Sequence, residues 1–179
     1  MKKAIMTRGF ALLLVGVFMS SAIWAQADKS QRPSPPATAT GKVQGATITI
    51  NYSSPSVKGR KIWGDLVPYD KVWRAGANEA TLFETDKDIK VEGKTLAKGK
   101  YSLYAQPGEK EWTFIFNSAT GQWGINRDGS TTEDPAKDVL RVTVKPKKSA
   151  SFNEKLIYKV DDKGFALMWE NLEVPVSIK

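Results

Sequence analysis

Along most of this chain, apolar and polar side chains alternate, and that period of two is the strongest constraint on what it can fold into. Ile48, Ile50 and Tyr52 alternate with Thr47, Thr49 and Asn51, and Trp112, Phe114 and Phe116 with Thr113, Ile115 and Asn117. The pattern returns at Leu140, Val142 and Val144, and at Leu156, Tyr158 and Val160. It closes with Phe165, Leu167 and Trp169, then Leu172, Val174, Val176 and Ile178. Successive side chains of a strand point to opposite faces, so each set marks one buried face. No long stretch carries a helical stripe. Glycine stands at Gln44-Gly45, Glu92-Gly93 and Lys163-Gly164, where a tight hairpin needs positive φ. Pro175 removes a ladder donor, which places the last strand at an edge. About nine or ten strands between Lys42 and Ile178 predict an all-β fold, an antiparallel β-sandwich or jelly roll. One long irregular loop interrupts it, and a second polar loop runs from Gly121 to Asp138.

The chain has no cysteine and no histidine. Burial rather than disulfides must therefore hold the sheets together. Ser-His-Asp and Cys-His catalysis are excluded, with ordinary zinc, copper and haem sites. Chemistry is left to carboxylates, lysine, tyrosine or an oxygen-liganded cation, so the balance leans away from an enzyme, and no cofactor is expected. The formal charge is +8, but the basic residues are scattered. The tightest groups are Lys58, Arg60 and Lys61, and Lys145, Lys147 and Lys148. No concentrated basic face emerges, and no nucleic-acid partner is expected.

The N-terminus gives the compartment. Lys2, Lys3 and Arg8 precede an apolar run from Phe10 to Met19, and small residues end in Ala25-Gln26-Ala27. That order predicts a signal peptide over 1–27 and export to the periplasm or the medium. The apolar run is short for a bilayer, so nothing spans a membrane after cleavage. Residues 28–40, with Pro33, Pro35 and Pro36, read as a flexible leader, and 41–179 as a single domain.

The irregular loop, Ser53 to Ala80, holds most of the chemistry. A short helical turn near Asp70 to Arg74 is expected within it. One reading makes it a binding cleft for carbohydrate or another cell-envelope component. Trp63, Tyr69 and Trp73 would stack on flat groups, while Arg60, Arg74, Asn78 and Glu79 would orient them through hydrogen bonds. The other makes it a structural closure of one sandwich end, with Trp63 and Trp73 as core and Arg74–Glu79 as an internal ion pair. A protein-interaction surface is a further alternative. A hydrolase would need paired carboxylates, and Glu79 and Glu84 are the candidates. Asp128 with Glu133 and Asp134, and Asp161-Asp162, lack the spacing of a calcium loop, so no metal site is expected.

The segment Y-S-S-P-S-V-K-G-R-K-I-W-G from Tyr52 to Gly64 carries a family resemblance. It is joined by L-V-P-Y from Leu66, V-W-R-A-G-A-N-E-A-T from Val72, V-E-G-K-x-L-x-x-G-K-Y-S-L from Val91 and D-V-L-R-V-T-V-K-P from Asp138. Together they resemble an uncharacterised family of exported bacterial proteins, a domain of unknown function. The resemblance spans nearly the whole chain after the leader. It implies export and a β-rich single domain, and carries no activity or site residue.

Overall fold

The computed structural model describes residues 28–179. The expected signal peptide, 1–27, lies outside the described residues. Ten strands follow: β1 Pro36–Val43, β2 Ala46–Ser53, β3 Thr81–Thr85, β4 Ile89–Val91, β5 Lys94–Leu96, β6 Gly99–Pro107, β7 Trp112–Asn117, β8 Asp138–Val144, β9 Lys147–Asp161 and β10 Gly164–Ser177. The fold is all-β. Six strands form one antiparallel sheet in the order β1-β2-β3-β6-β7-β8. This is a meander, interrupted only by the small β4–β5 hairpin; a jelly roll's crossing connections are absent from it. The long β9–β10 hairpin forms a separate ribbon. Among the described residues no helix is long and apolar enough to cross a membrane.

The alternating sets meet where the ribbon crosses the sheet. Phe165 of β10 contacts Phe83 of β3 at 5.7 Å and Phe114 of β7 at 5.5 Å between ring centroids. Ile48, Ile50, Leu103, Trp112, Phe116, Leu156 and Leu167 are fully enclosed in the same cluster. Each such large side chain contributes about 1.5–3 kcal/mol by leaving water. The second face of β6 and β7 is covered as well. Tyr104 and Ile115 are both buried there. The Gly121–Asp138 loop lies over them, with Gln122 Nε2 donating to Tyr104 Oη at 2.8 Å and Ser102 Oγ at 3.2 Å.

Two hairpin turns form as expected: Gln44 and Gly45 have φ of 50° and 80°, Glu92 and Gly93 of 47° and 80°. Positive φ at both central residues is the type I′ geometry that matches strand twist. At the third the glycine is displaced. Asp161 pairs with Gly164, so Asp162 and Lys163 make the turn and Gly164 opens β10. Pro175 lies beyond the last β9 partner of β10, the Glu173–Lys147 pair, in keeping with an edge. β10 then folds back on its own start, Ile178 N–H donating to the Lys163 carbonyl at 2.9 Å.

The expected leader is a correction. Pro36 to Thr40 form the first half of β1, and Lys29–Gln31 make a single 3-10 turn. The apolar period there is carried only by small, half-buried Ala37 and Ala39, which pack on the core from an edge strand. The helical turn near Asp70 to Arg74 does not form either. Asp70 takes φ 58°, and Trp73 spends its backbone groups on Ala105, with N–H···O distances of 2.7 and 2.9 Å in the two directions.

Candidate functional site

The long connection is ordered by many separate attachments. Ser54 Oγ donates to the Leu156 carbonyl at 2.6 Å, Val57 N–H to the Glu154 carbonyl at 2.7 Å, and Trp73 bridges β6 at Ala105. These fix the connection on either side of Trp63, one of four packed indoles. Trp63 meets Trp112 edge to face at 4.9 Å and Trp169 at 5.7 Å, while Trp73 stacks on Trp169 at 6.1 Å with 15° between planes. Trp63, Trp112 and Trp169 are buried, and their Nε1–H groups have no acceptor among the described residues. Edge-to-face contact sets indole edges against neighbouring π faces, a weak substitute for a hydrogen bond.

Over Trp73 and Trp169 opens a cavity of about 730 Å³. That is the size of pocket that receives a small molecule, roughly 300–1,000 Å³. Leu66, Val67 and Pro68 form one apolar wall, and Ile125 and Thr131 of the polar loop form another. Arg74 lies in the lining beside Trp73. Its Nε is buried without a hydrogen-bond partner, and it forms no ion pair among the described residues. Burial pushes the guanidinium below its ordinary pKa, although an arginine keeps its charge throughout any working range.

Two features hold that arginine in place. Its neighbour Ala75, buried at φ 53°, has its carbonyl gripped by Thr81 Oγ1 at 3.0 Å and Tyr158 Oη at 2.8 Å. A non-glycine residue in the left-handed region costs of order 1 kcal/mol and persists only when its surroundings enforce it. On the other side Gly124 packs against the Arg74 stem. A Cβ at Gly124 would lie 2.3 Å from Arg74 Cδ and 2.6 Å from its Cβ.

The seven residues expected at the site divide. Arg60, Trp73 and Arg74 line the cavity. Arg60 is exposed and donates to the Val57 and Ser56 carbonyls at 3.1 and 2.6 Å. Trp63 is core beneath the floor, and Tyr69 packs against Gly64 outside the cavity. Asn78 and Glu79 secure the N-terminal segment: Asn78 Nδ2 donates to the Ser34 carbonyl at 2.9 Å, and Glu79 binds Lys29 and Arg32, each at 3.0 Å. The expected Arg74–Glu79 pair therefore does not exist. Glu79 faces two nearer cations from the preceding segment. Glu84 pairs with Lys100 across the β3–β6 ladder at 3.2 Å, so the two carboxylates are separately engaged. Asp128 and Asp161 accept bonds within their own turns, and no cluster of three or more metal-ligating side chains occurs among the described residues. Trp169 is the site residue the sequence did not mark. It ends an alternating run and reads as ordinary core.

A family profile described as "Protein of unknown function (DUF2911)" matches residues 34–178. The chain belongs to this family. Every cavity-lining residue of this DUF2911 chain falls inside the matched span, whereas Lys29 and Arg32 precede it. No curated protein and no solved structure matches the chain.

The Glu79 contact gives the DUF2911 domain a predictable pH response. Burial opposes ionisation of Glu79. Hydrogen bonds from Lys29, its own backbone and Arg32, with the Lys29 charge, outweigh it and hold the pKa at about 2, against an ordinary 4.5. A depressed carboxyl stabilises the fold above its unfolded pKa and loses that contribution as pH falls from about 4.5 towards 2. The group is one-third exposed, so the effect stays below about 1 kcal/mol. Urea midpoints of the protein and Glu79→Gln should differ at pH 6 and converge near pH 2. A difference that persists in acid would refute the assignment.

Proposed function

We propose that this protein is an exported binding module that receives a small ligand with a flat apolar face in the Trp73–Trp169 cavity. The N-terminal leader pattern supports export, and a sugar ring or another cell-envelope component suits the half-buried indole face of Trp73. One observation carries the reading. A partly open cavity of about 730 Å³ is built from residues of four chain segments, the N-terminal segment, the long connection, the polar loop and β10, with Trp73 in its lining and the buried Trp169 stacked against it. Neither Glu79 nor Glu84 lines it, so binding is favoured over carboxylate hydrolysis.

Indole emission is the direct reporter, since Trp73 and Trp169 both border the space. Titration with peptidoglycan fragments, N-acetylglucosamine oligomers and aromatic acids should give a saturable change at one site per chain. Trp73→Ala should remove it while leaving far-ultraviolet dichroism unchanged. A flat response to the whole panel would overturn the proposal.

A further inference from the structure

The polar groups around this cavity are almost all committed elsewhere. Arg60 donates to two backbone carbonyls. Ser130 Oγ donates to Asp128 at 2.6 Å, and Thr131 Oγ1 accepts from Glu133 N–H at 3.1 Å. Asp70 is the one carboxylate in the lining, against Arg60, Lys71 and Arg74. It forms no ion pair with any of them, and its residue is exposed. Arg74 alone combines partial burial, a formal charge and no partner among the described residues. Burying the Nε–H of a guanidinium without a protein acceptor is unfavourable, because a desolvated donor costs free energy until it is paired. Yet the surroundings are arranged to keep it there. Gly124 leaves room for its stem and nothing larger, and the strained Ala75 turn is clamped by two hydroxyls.

We propose that the ligand is an anion, a carboxylate, sulfonate or phosphate group on a flat apolar body, with the anionic group on Arg74 and the body over the half-buried Trp73. This rests on the binding role proposed above and specifies the chemistry that the site selects. A guanidinium presents paired donors that match two oxygens of such a group, and the low-dielectric walls strengthen the contact. Lys71, exposed at the lining, adds attraction that salt will screen. Neutral sugars can accept a hydrogen bond from Arg74 but bring no charge to it, and neutral hydrocarbon rings bring neither.

Two fluorescent probes isolate the charge: 1-anilinonaphthalene-8-sulfonate, and N-phenyl-1-naphthylamine, which has the same ring skeleton without the sulfonate. The protein should bind the sulfonate saturably at one site, and more tightly than the amine by roughly ten- to hundred-fold, the range for a hydrogen bond to a charged group. Arg74→Met keeps the stem and should erase that preference, lowering sulfonate affinity and leaving the amine unchanged. Its melting temperature should stay level or rise, since an unpartnered charge is removed. A purely structural arginine would instead lower it. Equal affinity for both probes in the unmodified protein would overturn the anion assignment while the cavity remained a binding site. Binding of neither probe would overturn both. Because that comparison needs no variant, it decides the question even if Arg74→Met fails to fold.

Discussion

Trp112→Ala is expected to lower the unfolding free energy by about 3–5 kcal/mol, the range for deleting a large buried aromatic. Trp112 is wholly inaccessible and lies at the start of β7, paired on one side with Pro107 of β6 and on the other with Val144 of β8. Its ring contacts Trp63 at 4.9 Å, Phe114 at 6.4 Å and Trp73 at 6.5 Å. The indole N–H has no acceptor among the described residues, so truncation sacrifices packing and orphans no partner. The neighbours are other rigid rings on paired strands, which limits how far they can collapse into the space. A loss of that size is a large part of the roughly 5–15 kcal/mol that holds a domain together. The measurement is urea unfolding followed by far-ultraviolet dichroism. A loss under about 1.5 kcal/mol would show that the four indoles do not form one packed unit.

The second large effect falls on Gly164→Ala. The added Cβ would sit 2.0 Å from the Val176 carbonyl oxygen and 2.9 Å from the Ile178 nitrogen. These are backbone atoms of the returning end of β10, so no side chain can rotate aside. Gly164 also has φ 146°, outside the range that side-chain-bearing residues favour. Relief requires the C-terminal end to lift away, breaking the Ile178–Lys163 bond. It would also disturb the two bonds between Lys90 and Lys179 that tie this end to the β4 region. Overpacking and backbone strain together suggest a loss of about 3 kcal/mol. Gly93→Ala is the control, because its φ is 80° but nothing lies within 4 Å of the added carbon. Gly164→Ala no worse than Gly93→Ala would show that β10 does not close on itself.

The parts of this fold that were legible from sequence are those whose cause is local. Ile48, Ile50 and Tyr52 point inward and their threonine and asparagine neighbours do not, because a strand turns each residue over. The same rule misplaces Ile115 and Asn117, which are buried on the opposite face of β7. They are covered by a polar loop whose docking depends on Gln122, Gly124 and Thr132, and no periodicity announces such a cover. Within the irregular connection, the density of aromatic and charged residues pointed to Trp73 and Arg74, which the structure places in the cavity lining. It also pointed to Glu79, whose partners lie 50 and 47 residues away in a segment without an apolar period. Ion pairs across such distances leave no trace in spacing. Trp169 was hidden for the converse reason: it is core, 1% exposed, and reaches the cavity lining only through its stacking on Trp73.

The tryptophan cluster has an optical consequence. Indoles separated by only 4.9–6.5 Å, most of them crossed near a right angle, couple their electronic transitions. The native chain should then show an exciton couplet that no sum of isolated chromophores reproduces. Its sign records the handedness of the ring arrangement, so the molecule carries an inherent gauge of its own interior geometry without any attached label.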